Sequence, residues 1–193
     1  MCNDFGNHVA YAEYSEALRQ MGMGLVTPLG APNLEPREDI WPTEIAPILR
    51  RHDEGVELAQ LRWGLEPSHS KGRPVINFRG EGRSFATSRR CLVPASHFFE
   101  FKGAQAPKAK YKFTLAGQDW FCFAGLWRTA TDRTPESFTL LTTPPGPDVE
   151  PIHDRQMAVL TRPQWKAWLD LTLPESELLR PLPAGSLKVE QVR

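Results

Sequence analysis

The sequence predicts an α+β fold: one domain over residues 1–193, built on a largely antiparallel, barrel-like β-sheet with a few short helices. Three observations lead there. Short runs rich in aromatic and β-branched residues recur, each closed by turn residues; only a few stretches carry helical periodicity; and 18 prolines are spread through 193 residues, which suits short elements joined by shaped loops.

In chain order, residues 13–20 (EYSEALRQ) read as a short helix stopped by Gly22 and Gly24. Strands are expected at 57–65 (ELAQLRWGL), 74–78 (PVINF), 90–95 (RCLVPA), 97–101 (HFFEF), 110–117 (KYKFTLAG), 119–128 (DWFCFAGLWR), 136–143 (ESFTLLTT) and 156–161 (QMAVLT). Helices are expected at 83–90 (RSFATSRR) and at 163–171 (PQWKAWLDL), the latter with proline in its first turn. TTPPGPDVEP reads as an ordered loop with several fixed φ angles.

Composition narrows the chemistry. Cys2, Cys91 and Cys122 are odd in number and hold no CxxC pair, which supports neither a disulfide framework nor a zinc ribbon, and a cytoplasmic location is expected. No basic leader is followed by an apolar run, and no stretch of some 18 apolar residues occurs, so no membrane partner is expected. No His or Cys pair stands at ligand spacing, and neither GxxxxGKS nor GxGxxG is present; no metal and no cofactor are expected. No GxSxG elbow follows a strand.

The net charge of zero hides a division. Residues 1–66 carry 5 Lys/Arg against 11 Asp/Glu, a net of −6, whereas residues 71–112 carry 10 against 2, a net of +8. Polyanions bind patches rather than totals. Lys71, Arg73, Arg79, Arg83, Arg89 and Arg90 of the basic segment could line a groove for a phosphate backbone, with Trp63 as a surface for base stacking; a buried Trp63 is the equal alternative.

Cys2 directly follows the initiator methionine. Once Met1 is removed, its free amine (pKa about 7.7–8.0) and thiol (about 8.5) form a two-headed nucleophile partly active near neutrality. The amine adds to an aldehyde to give an imine, and the thiol closes on the imine carbon to a five-membered thiazolidine. In an extended segment Asn77, Arg79 and Glu81 would share one face. Glu100 lies inside HFFEF, where burial would raise its pKa toward a range useful for proton transfer. His153 and Arg155 fall at the mouth of a strand.

The segments MCND, RWGLEP, INFRGE, RCLVPASHFFEF, FAGLWR and HDRQM resemble, in order and over nearly the whole chain, the hallmarks of the SOS response-associated peptidase (SRAP) family of abasic-site-processing proteins. The resemblance implies single-stranded DNA carrying abasic sites as the partner, and a covalent thiazolidine crosslink through Cys2. It implies Asn77 holding the terminus, Glu100 as general acid/base, His153 assisting sugar-ring opening, and Arg79 on phosphate, with Arg155 beside them. A monomer is expected. Two other readings stand beside it: an N-terminal-cysteine amidase or self-processing peptidase, and a non-catalytic single-strand binder. The chain departs from the family pattern at Asn3, Asp4, His97, Phe101, Gln156 and Met157, and Asp4 stands where an arginine is expected.

Overall fold

The computed structural model describes residues 3–53, 55–67 and 72–193. Along the chain come β1 (Phe5–Asn7), α1 (Tyr11–Gln20), β2 (Leu25–Val26), β3 (Arg37–Ile40), β4 (Ile45–His52), β5 (Gly55–Trp63), β6 (Asn77–Arg79) and β7 (Arg90–Ala95). They are followed by β8 (His97–Lys102), β9 (Ala109–Leu115), β10 (Phe121–Arg128), β11 (Ser137–Thr143), β12 (Gln156–Met157), β13 (Val159–Leu160), α2 (Arg162–Asp170), α3 (Glu175–Leu178) and β14 (Leu187–Gln191).

Two sheets result. One is open, in the order β14-β9-β8-β1-β3; the other runs β12-β11-β10-β7-β4-β5-β2, with β13 beside β10 and β6 beside β11. Most pairings are antiparallel, while β2–β5, β5–β11 and β6–β11 are parallel. The fold is therefore α+β with largely antiparallel sheets. The expected barrel is a ring: β11 returns to β5 through only Ser137↔Arg62 and Phe138↔Trp63. Gly64, at a φ of +121° that favours glycine, donates its N–H to the Phe138 carbonyl at 2.7 Å just beyond that contact. Arg50 braces the closure from β4, reaching Glu57 at 2.7 Å and Glu136 at 3.0 Å.

The aromatic strands follow from a core on both sides of them. Along β10, Phe121 and Phe123 enter a core shared by the two sheets with Phe5, Trp63, Phe98, Phe113 and Phe138, whereas Cys122 and Ala124 enter a second core beneath the helices with Tyr14, Leu18, Trp165 and Trp168. A strand buried on both faces reads as a continuous apolar run rather than an alternating one. Each fully buried large apolar side chain contributes roughly 1.5–3 kcal/mol. Helix α2 begins with Gln164 Oε1 accepting the Thr161 N–H at 2.9 Å, has Pro163 in its first turn, and ends on Leu171 in the left-handed region at φ 50°.

Three expectations change. Residues 83–90 form a turn-rich connection rather than a helix, because Glu175 accepts the Phe85 N–H at 2.6 Å and holds the chain there. The strand expected at 156–161 is two short ones, split at Ala158, whose N–H goes to Leu141 and whose carbonyl takes the Ala124 N–H. Strands β1, β2, β3, β4 and β14 lie outside the expected ones: β1 and β2 are three and two residues long, β3 and β4 carry charges and Pro47, and β14 exposes four of its five residues.

Candidate active site

Period-two alternation on β8 sets the centre of the site. Phe98 faces the aromatic core, so Glu100, two residues on, points to the same side and is 1 % exposed. His97, Phe99 and Phe101 take the other side. Glu100 sits opposite Tyr111 in the β8–β9 register, at the rim of the core.

His153 arrives from the proline-rich loop, whose last turn is closed by Ile152 and His153 N–H groups donating to the Val149 carbonyl at 2.8 and 3.0 Å. Its Nε2 stands 3.8 Å from Glu100 Oε2. Its Nδ1 meets the backbone of Arg155, 3.0 Å from the N–H and 3.1 Å from the carbonyl, and lies 3.1 Å from Asp154 Oδ1, which leaves Nε2 as the nitrogen that faces Glu100. Burial pushes the His153 pKa below its usual 6.5, with Asp154 pulling the other way, so the neutral ring is favoured.

Glu100 and His153 line a cavity of about 330 Å³ together with Asn3, Trp41, Phe101 and Lys108. Cys2 and Lys71 lie outside the described residues. Asn3 nevertheless brings the chain's first described residue into the wall of that cavity. Asn77 opens β6, opposite Leu140 of β11; the same strand pairs Thr142 with Met157, just after His153 and Arg155. Arg79 is exposed at the end of β6, and Arg73 is exposed before it.

Several expected DNA contacts fall elsewhere. Trp63 is wholly buried, its ring stacked at 9° on Phe138 and its N–H donated to the Ile76 carbonyl at 2.9 Å, so it offers no face for a base. The Arg90 guanidinium donates to Trp168 O at 2.8 Å, Leu169 O at 3.2 Å and Phe85 O at 2.7 Å, which spends it on the C-terminal end of α2. Arg155 forms a fork with both Glu81 oxygens and reaches Thr142 Oγ1 at 2.8 Å; a bidentate pair of this kind leaves it little freedom for phosphate. Arg89 is exposed, 5.0 Å from the Trp127 ring.

Trp41 escaped the sequence reading. It is 42 % exposed on the cavity wall, in a turn where Glu44 accepts its N–H at 2.6 Å. Its only sequence signal is its place directly before Pro42.

Asp4 does not face solvent. It is fully buried and 2.8 Å from Lys110 Nζ, which also meets Asp39 at 2.8 Å and lies 3.6 Å from the centre of the Phe99 ring. Desolvation raises the Asp4 pKa to about 7 in spite of the ammonium.

His8, Glu38 and His97 bring three ligand-type atoms within 4.8 Å from distant parts of the chain, a grouping that sequence spacing cannot reveal. Lys112 already sits 2.6 Å from Glu38 Oε1, and the His97 Nε2 is engaged by the Glu38 carbonyl at 2.8 Å. The trio is a charge-compensated hydrogen-bonded cluster, and His97 packs so closely over Gly6 that a Cβ there would lie 2.2 Å from its ring.

Comparison with known proteins agrees with this architecture. The chain is 30 % identical over 207 residues to the abasic site processing protein YoqW of Bacillus subtilis, covering 97 % of this chain and 91 % of that one. It is also 30 % identical to YobE of the same organism, covering 100 % and 94 %. A crystal structure from Bacteroides thetaiotaomicron superposes with a TM-score of 0.78 at 20 % identity, covering 100 % of this chain and 92 % of that one. A phage-related protein from Bordetella bronchiseptica gives 0.74 at 25 %, covering 100 % and 94 %. The family model described as SOS response associated peptidase (SRAP) matches residues 1–193, and the chain belongs to that family.

Proposed function

We propose that this protein processes abasic sites, binding them in single-stranded DNA and capturing them covalently through Cys2 once Met1 has been removed. The family membership and the relatives named as abasic site processing proteins support the substrate. The observation that carries the chemistry is the Glu100–His153 pair at 3.8 Å, in a cavity whose wall includes the residue following Cys2.

The reaction condenses an aldehyde with an aminothiol. His153 moves a proton as the sugar ring opens to its aldehyde. The Cys2 amine adds to the carbonyl carbon, Glu100 delivers a proton to the departing oxygen, and water leaves to give an imine. The Cys2 sulfur then bonds to the imine carbon and the nitrogen takes up the thiol proton, closing the thiazolidine. Asn77 holds the terminus in place, since fixing both reacting groups lowers the barrier by removing their translational freedom. Arg79 and Arg73 meet the phosphates, and Trp41 supplies the aromatic face for a neighbouring base.

The experiment is a denaturing gel and intact mass of the protein mixed with an oligonucleotide carrying one abasic site. A denaturation-resistant adduct of the summed mass less one water is expected, absent from Cys2→Ala. Cleavage of amide substrates without an adduct would support the amidase reading instead, and strand binding unchanged by Cys2→Ala, Glu100→Gln and His153→Ala, with no adduct, the simple binder.

A further inference from the structure

A second cavity stands apart from the one that holds Glu100 and His153. It measures about 590 Å³, and its lining includes Phe78, Phe85 and Trp127 together with Arg83, Arg89 and Arg128. All three arginines are exposed; no carboxylate is among the described lining residues, and Glu175 and Glu66 hold the lining hydroxyls of Ser84 and Thr131. Two of the arginines already stand over aromatic rings, Arg83 at 4.6 Å from Phe78 and Arg89 at 5.0 Å from Trp127.

Its position relates it to the first site. Phe78 forms one wall of the cavity, and it lies between Asn77 and Arg79 on β6, whose side chains point to the other side of the strand. Arg79 and Arg83 therefore lead from one side of β6 to the other around the bend at Gly80 and Gly82. Trp127 is held from behind the ring closure: Arg50 lies 4.1 Å from its centre and is itself fixed by Glu57 and Glu136. The cations around it are on the surface.

We infer that this cavity is a second nucleic-acid contact, taking one unpaired nucleotide of the same DNA strand some way along from the abasic site. The base lies against the Phe78 and Trp127 rings, and its phosphates are met by Arg83, Arg89 and Arg128. A flat ring beside a cluster of guanidinium groups suits a nucleotide, because the base needs a π surface and the phosphate needs charge. An acidic peptide would use the arginines and leave the rings idle. The inference rests on the reading of the protein as a single-strand binder, and it adds a length requirement: a strand confined to the Glu100 cavity cannot reach it.

The test uses a tetrahydrofuran analogue of the abasic site, which has no aldehyde and so reports binding apart from crosslinking. Affinities are measured by fluorescence anisotropy for a strand of about 4 nucleotides centred on the analogue and for one of about 12. The wild-type protein is expected to bind the longer strand at least ~10-fold more tightly. In Arg83→Gln/Arg128→Gln that advantage falls to within about 2-fold, and the salt slope on the longer strand drops by ~1.4, two phosphate contacts at ~0.7 each. Trp127→Phe is the second variant, and its partial loss of the length advantage reports stacking rather than charge. The inference is overturned if the double variant keeps the full advantage, if it loses affinity equally for both strands, or if a polyglutamate peptide or a free mononucleotide displaces neither strand differently while binding the cavity itself. Failure to crosslink a true abasic strand would sink the covalent reading and leave these affinities interpretable.

Discussion

The ammonium of Lys110 lies 2.8 Å from the carboxylate of Asp4, a side chain with no solvent exposure, and holds Asp39 at the same distance on its other side. Asp4 is thus a buried acid paired with a cation and ionised above its folded pKa of about 7, not a repulsive charge on a DNA surface. Removing the cation leaves the carboxylate stranded, and truncating one partner of a buried pair costs about 3–5 kcal/mol. Lys110→Met is expected to lose stability in that range in chemical denaturation, and Asp4→Asn/Lys110→Met to recover most of it. Equal losses in the single and double variants would show that the two groups are not coupled.

The same carboxyl gives a pH dependence. Asp4 titrates near 3.8 in the unfolded chain and near 7 when folded, so folding takes up a proton between those values. Stability from this group is greatest at the acid end, declines as pH climbs through the window by at most ~1.4 kcal/mol per pH unit, and levels off above the folded value. Urea midpoints measured across the window should flatten in Asp4→Asn relative to wild type. A wild-type slope that Asp4→Asn leaves intact would assign it to another group.

Arg89 and Arg90 are neighbours with opposite duties. Arg90 serves five backbone carbonyls, two at the end of α2 and three in the 85–88 turn, and hydrogen bonds from a charged donor contribute about 1.5–3 kcal/mol net and not additively. Arg90→Ala should destabilise the fold by ~2–3 kcal/mol with single-strand affinity kept within about 2-fold once the protein is folded. Arg89→Ala should leave the melting temperature in place and weaken binding to a longer strand. Thermal melts and anisotropy on both variants separate the two roles.

That contrast explains what the sequence could and could not reveal. Runs such as DWFCFAGLWR and RCLVPA identify strands because both their faces are buried, a property of composition alone. Glu100 stands out because a carboxylate in an aromatic run is rare. Which of two adjacent arginines faces solvent depends on register and on where the end of α2 docks, and neither leaves a mark in the local pattern. Trp63 and Trp41 reverse for the same reason: the first is buried by the return of β11 to β5, a contact from some 75 residues away in sequence, while the second is left on the cavity wall by a turn that a proline shapes.

Trp41 and Trp63 therefore predict different losses. Base stacking on an aromatic side chain is worth about 1–3 kcal/mol, so Trp41→Ala should weaken single-strand binding by ~5- to 150-fold with little change in stability. Trp63→Ala should cost about 3–5 kcal/mol of folding free energy through the cavity it leaves. Binding isotherms and denaturation curves on each variant decide the assignment, and it fails if Trp41→Ala binds as wild type.

The last prediction concerns the proton on His153. Its Nδ1 lies against the Arg155 backbone and Asp154 Oδ1, and its Nε2 faces Glu100 at 3.8 Å. Burial lowers its pKa below 6.5 while Asp154 raises it, so the neutral ring persists to a more acid pH than a free imidazole would allow. A reaction that uses this form should keep its rate as pH falls until the depressed value is passed, and then decline. Asp154→Asn removes an adjacent carboxylate that favours the charged ring, and so should carry the acid limb to still lower pH. His153→Ala should lose the limb altogether and slow adduct formation by ~10²-fold or more, the usual contribution of a placed acid or base. Single-turnover rates of adduct formation across the acid range read all three profiles. An unshifted limb in Asp154→Asn, or a His153→Ala rate within about 2-fold of wild type, would remove His153 from the proton path and leave Glu100 to act alone.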